Sequence, residues 1–335
     1  MIEPVVRVHD LEVRFSRDRL FGGDEETRAV DGVSFDVAPG EVFCIAGESG
    51  CGKSTLGRSM LGLVAPHAGS LSVVGQAPWG LRRAARTALL RRVQMIFQDP
   101  MGALNPRQTV YEAIAEAIRI HDLPGHEEEL VTDALSVAGL RPPERFLLRY
   151  PHELSGGQRQ RVVIATAMVL RPDVLVADEP VSMLDASVRG EILRLLLDLK
   201  EQMGLTLIVI THDLGFAWAI ADRLAIMYLG KIVEMGPAER VLTEPRHPYT
   251  KALLSVAPEI GHRRSLEILV GEPPDPSNIP PGCRFHPRCP IVRSGDAGRL
   301  EPACRGRIPR LEELGPDHRA ACHVATALAS NESAL

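Results

Sequence analysis

Aromatic residues are scarce in this 335-residue chain: they make up 4% of it, with only four Tyr and two Trp. A nucleic-acid coat needs stacking rings and a positive groove. With few rings and a net charge of -5, no nucleic-acid partner is expected. Long apolar runs are also missing. The longest, residues 162–170 and 205–210, fall far short of the roughly 20 residues of a membrane span. Residues 1–10 have neither the basic start nor the apolar run of a secretion signal, so a reducing cytoplasm is expected. Six cysteines in that setting do not read as a disulfide scaffold.

What is present is unevenly spread. Hydrophobic residues at 45% and charged residues at 24% provide a large core and exclude a largely disordered chain. Cys44 and Cys51 come early, whereas Cys283, Cys289, Cys304 and Cys322 fall in the last 53 residues. Thirteen of the 26 prolines lie at or beyond Pro245. The skew predicts a main domain over 1–255 and a Pro/Cys-rich extension over 256–335.

Along the chain, residues 5–15 and 33–37 read as strands, with a polar surface excursion over 18–27. The compact apolar run 42–46 predicts a buried strand, and helical spacing follows over 54–63. A strand is expected over 93–97. Helices are expected over 109–120, 127–138, 158–170, 188–203 and 214–221, with buried strands at 174–177 and 207–210 and a hairpin near 224–231. Strands alternating with helices indicate an α/β protein. Beyond Pro258 the periodicity fades and turns dominate.

Between that first buried strand and helix runs Gly47-Glu48-Ser49-Gly50-Cys51-Gly52-Lys53-Ser54, a Walker A pattern in its proper strand–loop–helix context. Glycines allow the tight wrap that turns backbone N–H groups inward, and the helix start adds its positive end. Lys53 is expected on the β- and γ-phosphates of a nucleotide, Ser54 on magnesium, and Thr55 on phosphate. Cys51 lies inside the loop but offers nothing the motif needs, so it is expected to pack. Residues 174–179 end in Asp178 and Glu179, a buried strand leading to two acids. Asp178 suits magnesium, and Glu179 can polarise an attacking water, which favours hydrolysis over transfer to a hydroxyl.

The segment Leu154-Ser155-Gly156-Gly157-Gln158 resembles the signature of ABC-type ATPases, and Gln98, Ser182–Asp185 and His212 extend that resemblance in order and spacing. It implies a P-loop ATPase with an N-terminal antiparallel β subdomain, a RecA-like core and a helical subdomain at about 99–165. It also implies two subunits closing over two ATP molecules. Ser155, Gly156, Gly157 and Gln158 would read ATP held by the partner, and Asp185 would signal across the dimer. Gln98 would sense magnesium and water, and His212 would contact the γ-phosphate and hold Glu179. An aromatic stacks on adenine in this family; Phe15 is the expected one, with Phe21 as rival. Met183 departs from the small residue usual in the D-loop, which leaves open either a dimer contact or unequal ATP sites.

Phe97-Gln98-Asp99-Pro100 through Arg107, His247-Pro248-Tyr249-Thr250-Lys251 and Pro281-Gly282-Cys283-Arg284-Phe285 resemble ATPases of oligopeptide, dipeptide and nickel importers. The excursion before Ala29-Val30-Asp31-Gly32 leans toward their second, F-type ATPase. This resemblance implies a heterodimer with another ABC ATPase, two membrane permeases docked around residues 98–109, and an external substrate-binding protein. The location would be the cytoplasmic face of the membrane. Other readings stay open: a nickel or other small-solute importer, or a soluble ABC ATPase acting as a switch. The tail cysteines are spaced C-x5-C-x14-C-x17-C, matching neither a zinc knuckle nor a ferredoxin run. The resemblance implies that such a tail can bind a four-iron, four-sulfur cluster in some relatives. A cluster, zinc, or thiols without a metal remain open, with His286 or His323 as substitute ligands.

Overall fold

The computed structural model describes residues 3–17, 25–255 and 271–332. Phe21, most of the polar excursion and the expected boundary at 255/256 lie outside the described residues or at their edge. Two long strands, β1 (Val6–Arg17) and β2 (Glu25–Val37), pair antiparallel, and residues 25–27 of the expected excursion belong to β2. Then come β3 (Val42–Ala46), α1 (Lys53–Met60), β4 (Ala68–Val73), α2 (Arg83–Arg92) and β5 (Val93–Ile96). Strand β4 joins β1 to complete a three-stranded sheet in the order β2-β1-β4.

Four helices follow: α3 (Pro100–Ala103), α4 (Val110–Ile120), α5 (Glu127–Val137) and α6 (Gly156–Met168). Asp99 and Thr109 cap the first two, accepting from the N–H groups of Met101 and Glu112. The chain then alternates: β6 (Val174–Asp178), α7 (Ala186–Met203), β7 (Thr206–Thr211), α8 (Leu214–Ile220), β8 (Arg223–Tyr228) and β9 (Lys231–Pro237). Gly204 stops α7 in the left-handed conformation, a common helix end.

The larger sheet has eight strands, and β8-β3-β7-β6-β5 within it are parallel. Both of its faces are covered, which is why β3, β6 and β7 are apolar along their length and buried throughout. Alternate side chains feed two cores: Cys44 and Ala46 enter one, Phe43 and Ile45 the other.

The tail is integrated into this body more closely than the fading periodicity predicts. After α9 (Ala238–Thr243) and α10 (Pro248–Ser255), it contributes α11 (Pro290–Arg293), α12 (Glu301–Gly306), β10 (Glu312–Glu313), β11 (Arg319–Ala320) and α13 (His323–Glu332). Strand β11 pairs with β9, extending the main sheet. Phe285 packs against Tyr228 and Tyr249, and Phe285, Cys289, Val292 and Cys304 share the larger core. Helical and strand periods could not reveal this, because the contacts come from turns and very short elements.

Glu234 of β9 is fully buried and ties the seam together. Its carboxylate accepts from the N–H groups of Arg246 and His247, and His318 Nε2 stands 2.7 Å away. Replacing Glu234 with Ala strands these buried partners. A loss of about 3 kcal/mol or more in urea unfolding is expected, and an unchanged midpoint would refute the role.

Candidate functional site

Parallel strands bring the motif residues to one edge. Ala46 pairs with Thr211, Asp178 with Ile210, and Ile96 with Ala177. The residues one or two steps past this row are Gly47, His212, Glu179 and Gln98. They emerge together at the carboxyl ends of neighbouring strands, where open α/β sheets bind ligands.

The loop after β3 is tightly confined. A Cβ on Gly47 would stand 2.1 Å from the Met227 carbonyl oxygen, and one on Gly52 would stand 1.9 Å from that of Ala29. Both positions also have positive φ, 154° and 105°, so glycine is required on two counts. Gly52 caps α1, whose first turn holds no acid, leaving the positive helix end open to an anion. Lys53 is buried and donates from Nζ to the carbonyls of Gly47 (2.7 Å) and Glu48 (2.9 Å), encircling the loop. Ser49 and Gly50 sit exposed at the turn, and Thr55 is half-buried on α1. Cys51 packs into the smaller core with its sulfur 3.7 Å from Lys53 Nζ.

Ser54 Oγ donates to Asp178 Oδ1 at 3.1 Å. Burial raises the pKa of Asp178; the Ser54 bond opposes the rise and neighbouring Glu179 adds to it. A hydroxyl and a desolvated carboxylate side by side are hard oxygen donors suited to magnesium. Glu179 adopts φ 48°, uncommon for a residue with a side chain. Its carboxylate is held from both sides: Gln98 Nε2 donates to Oε2 at 2.8 Å, and His212 Nδ1 lies 3.0 Å from Oε1. An ionised carboxylate only accepts, so this contact puts the proton on Nδ1. The structure thus gathers Lys53, Ser54, Asp178, Glu179, Gln98 and His212 at one edge of the sheet.

Other expected residues lie outside this group. Ser155 caps α6: its Oγ accepts from the Gln158 N–H, and Gln158 Oε1 accepts from the Ser155 N–H, a reciprocal capping box. Gly157 lies against Val188, where a Cβ would approach to 2.6 Å, and Gly156 faces Leu184. Asp185 precedes α7 and is exposed, as is Met183 at 62%. Phe15 is half-exposed on β1, paired with Thr27 two residues from Ala29, so it stands on the strand pair that backs Gly52.

Several contacts escaped the motif reading. The Glu48 N–H donates to Tyr249 Oη at 3.0 Å, and Arg288 binds the Glu48 carboxylate. Arg284 contacts the Asp31 carboxylate and the Leu229 carbonyl. Their only sequence signal is two arginines flanked by the tail cysteines, far along the chain from the acids they bind. The four tail thiols lie within electrostatic reach of one another, and burial pushes Cys283 up to about 12. Among the described residues, however, no group of three or more His, Cys, Asp or Glu side chains is placed to hold a metal ion. The metal expectation for the tail therefore finds no support in this geometry. Nor is any described helix long and apolar enough to cross a membrane.

Residues 30–182 match the ABC transporter family model, and residues 233–295 match the oligopeptide/dipeptide transporter C-terminal region. The chain is 42% identical to the oligopeptide transport ATP-binding protein AppF of Bacillus subtilis, over 96% of this chain and 98% of that protein. It is 41% identical to the di/tripeptide transport ATP-binding protein DppF of Pseudomonas aeruginosa, with the same coverage. Among solved structures, the dimeric ATP-binding cassette MJ0796 bound to ADP and Pi superposes with a TM-score of 0.62 at 27% identity, covering 70% of this chain and 98% of that one.

Replacing Gly52 with Ala drives a methyl into the Ala29 carbonyl. A loss of ATP affinity above tenfold is expected, because the clash exceeds about 1.4 kcal/mol. Equilibrium binding of a non-hydrolysable analogue measures it.

Proposed function

This chain belongs to the ABC transporter ATP-binding proteins of the oligopeptide/dipeptide type, and on that premise we propose that it hydrolyses ATP at the Walker edge to drive import of short peptides. It is an ATPase that works with membrane permeases. The observation that carries the mechanism is the Glu179 carboxylate, fixed between Gln98 and His212 beside the Ser54–Asp178 pair.

In this reading the loop from Gly47 to Gly52, with Ser49, Gly50 and Cys51 contributing backbone N–H groups, cradles the phosphates. Lys53 moves from the loop carbonyls onto the β- and γ-phosphates, and Thr55 adds a contact. Phe15 stacks on adenine. Ser54, Asp178 and Gln98 would hold magnesium, which would supply charge neutralisation for the phosphates. Glu179 accepts the proton of the attacking water as a general base. Gln98 and His212 keep its two oxygens aimed.

The segment Ser155-Gly156-Gly157-Gln158, exposed at Ser155 and half-buried beyond it, and the exposed Asp185 complete the site of a second subunit, and that subunit's copies complete this one. The proposed assembly is a heterodimer with a homologous ABC ATPase on the cytoplasmic face of the membrane. It docks through residues 98–109 on two permeases served by an external substrate-binding protein. Differential affinity of ATP for the closed dimer drives closure, and hydrolysis reverses it. The division at 255/256 into cassette and extension belongs to the same proposal. So does a four-iron, four-sulfur cluster, or zinc as the alternative, on Cys283, Cys289, Cys304 and Cys322. It rests on the four soft thiols of the tail sequence alone, since no described group is placed to hold a metal ion, and no catalytic step depends on it.

Two measurements test these assignments. Glu179→Gln is expected to lower phosphate release about 10²-fold or more while ATP-dependent dimerisation persists; unaffected turnover would remove Glu179 as the base. Anaerobically purified protein is expected to contain iron and acid-labile sulfide, and folded protein with neither would exclude the cluster.

A further inference from the structure

Glu48 is the one acidic residue in the Walker A loop, and every polar handle it has is held. Its N–H donates to Tyr249 Oη (3.0 Å), and its carbonyl accepts from Lys53 Nζ (2.9 Å). Its carboxylate receives a two-pronged fork from Arg288, with nitrogen-to-oxygen distances of 2.7 and 3.0 Å. Arg288 lies 240 positions away in the tail, yet its side chain is only 6% exposed. Its guanidinium also reaches Tyr228 Oη at 3.4 Å and sits 5.9 Å from that ring's centroid.

We propose that Arg288 is a positioning residue for ATP binding, neutralising and orienting Glu48 so that the phosphate loop is preformed and free of an opposing charge. Two physical effects act together. A carboxylate beside a phosphate cradle repels the polyanionic ligand unless a cation compensates it at short range. A guanidinium fork also fixes the orientation of its partner, which a lysine ammonium cannot do. Holding residue 48 at both backbone and side chain spares the loop the ordering cost it would otherwise meet on binding nucleotide.

Arg284, four residues earlier, makes a parallel tie to Asp31 and to the Leu229 carbonyl. Asp31 and Cys51 in turn bond to Gly230, through Asp31 N–H to Gly230 O and Gly230 N–H to Cys51 O, each at 2.9 Å. The segment from Arg284 to Arg288 therefore braces the loop at two points. By linkage, nucleotide bound at the loop stabilises the tail to the same degree that the tail favours nucleotide.

The inference rests on the reading of residues 47–54 as the ATP loop, so the experiment separates the two. Full-length wild-type protein and the variants Arg288→Ala, Arg288→Lys, Glu48→Gln, Arg288→Ala/Glu48→Gln and Lys53→Ala are titrated with magnesium AMP-PNP and assayed for ATP turnover. Arg288→Ala is expected to weaken AMP-PNP about tenfold and to raise KM for ATP more than it lowers kcat. Arg288→Lys is expected to fall between Ala and wild type. The double variant, with the unpaired carboxylate removed, is expected to bind tighter than Arg288→Ala, a rescue that a merely structural arginine would not show. Glu48→Gln leaves the tail sequence intact and is expected to lose less affinity than Arg288→Ala. Affinity in Arg288→Ala equal to wild type, or a double variant no tighter than the single, overturns the role of Arg288. Lys53→Ala binding as well as wild type would overturn the reading of the loop itself.

Discussion

The confinement of one short loop governs the rest of the molecule. Between β3 and α1 the backbone passes so close to the carbonyls of Met227 and Ala29 that no side chain fits at Gly47 or Gly52. Met227 belongs to β8 in the large sheet and Ala29 to β2 in the small one, so both sheets must be in place before the loop has its shape. Donors aimed in advance need no reorganisation when charge arrives, which makes this rigidity useful for holding phosphates. Tyr249 and the tail arginines then hold the loop from the remaining side.

Around that loop the chain divides its chemistry between two surfaces. The edge holding Lys53, Asp178 and Glu179 is recessed, and its acids are shielded by Ser54, Gln98 and His212. Glu179 departs from ordinary backbone geometry there, a kind of strain that collects at functional sites. The other surface presents Ser155, Met183 and Asp185 to solvent. Ser155 Oγ accepts from the Gln158 N–H at its own helix start, and a hydroxyl that accepts there still has its proton to donate.

Much of this was legible in the sequence because local patterns carry it. The run Val42–Ala46 reads as a buried strand since both its faces are apolar, and the glycines after it announce the turn. Helices α4 to α7 follow their apolar spacing to within about two residues. The long pairing of β1 with β2 was obscured by polar residues, because a strand in a sheet with an open face can carry charge on that side. The tail was read as an appendix for a different reason. Its hold on the body comes from Phe285 among tyrosines, from His318 at Glu234 and from two arginines on distant acids. Partners separated by such lengths of chain leave no period. The cysteines drew attention to the tail, yet the arginines between them make the contacts with the nucleotide loop.

The pairing of β11 with β9 also matters for solubility. Strand β9 is apolar and buried along most of its length, and without a neighbour it would present a row of unpaired backbone groups. Strands in that condition recruit one another between molecules. The tail covers β9 with a two-residue strand, and the outermost strand, β10, is just as short and carries Glu312 and Glu313. A brief, negatively charged border offers a poor template for further strand addition. The tail that reaches the phosphate loop through Arg288 thus also, in a later segment, helps keep the eight-stranded sheet from growing into an aggregate.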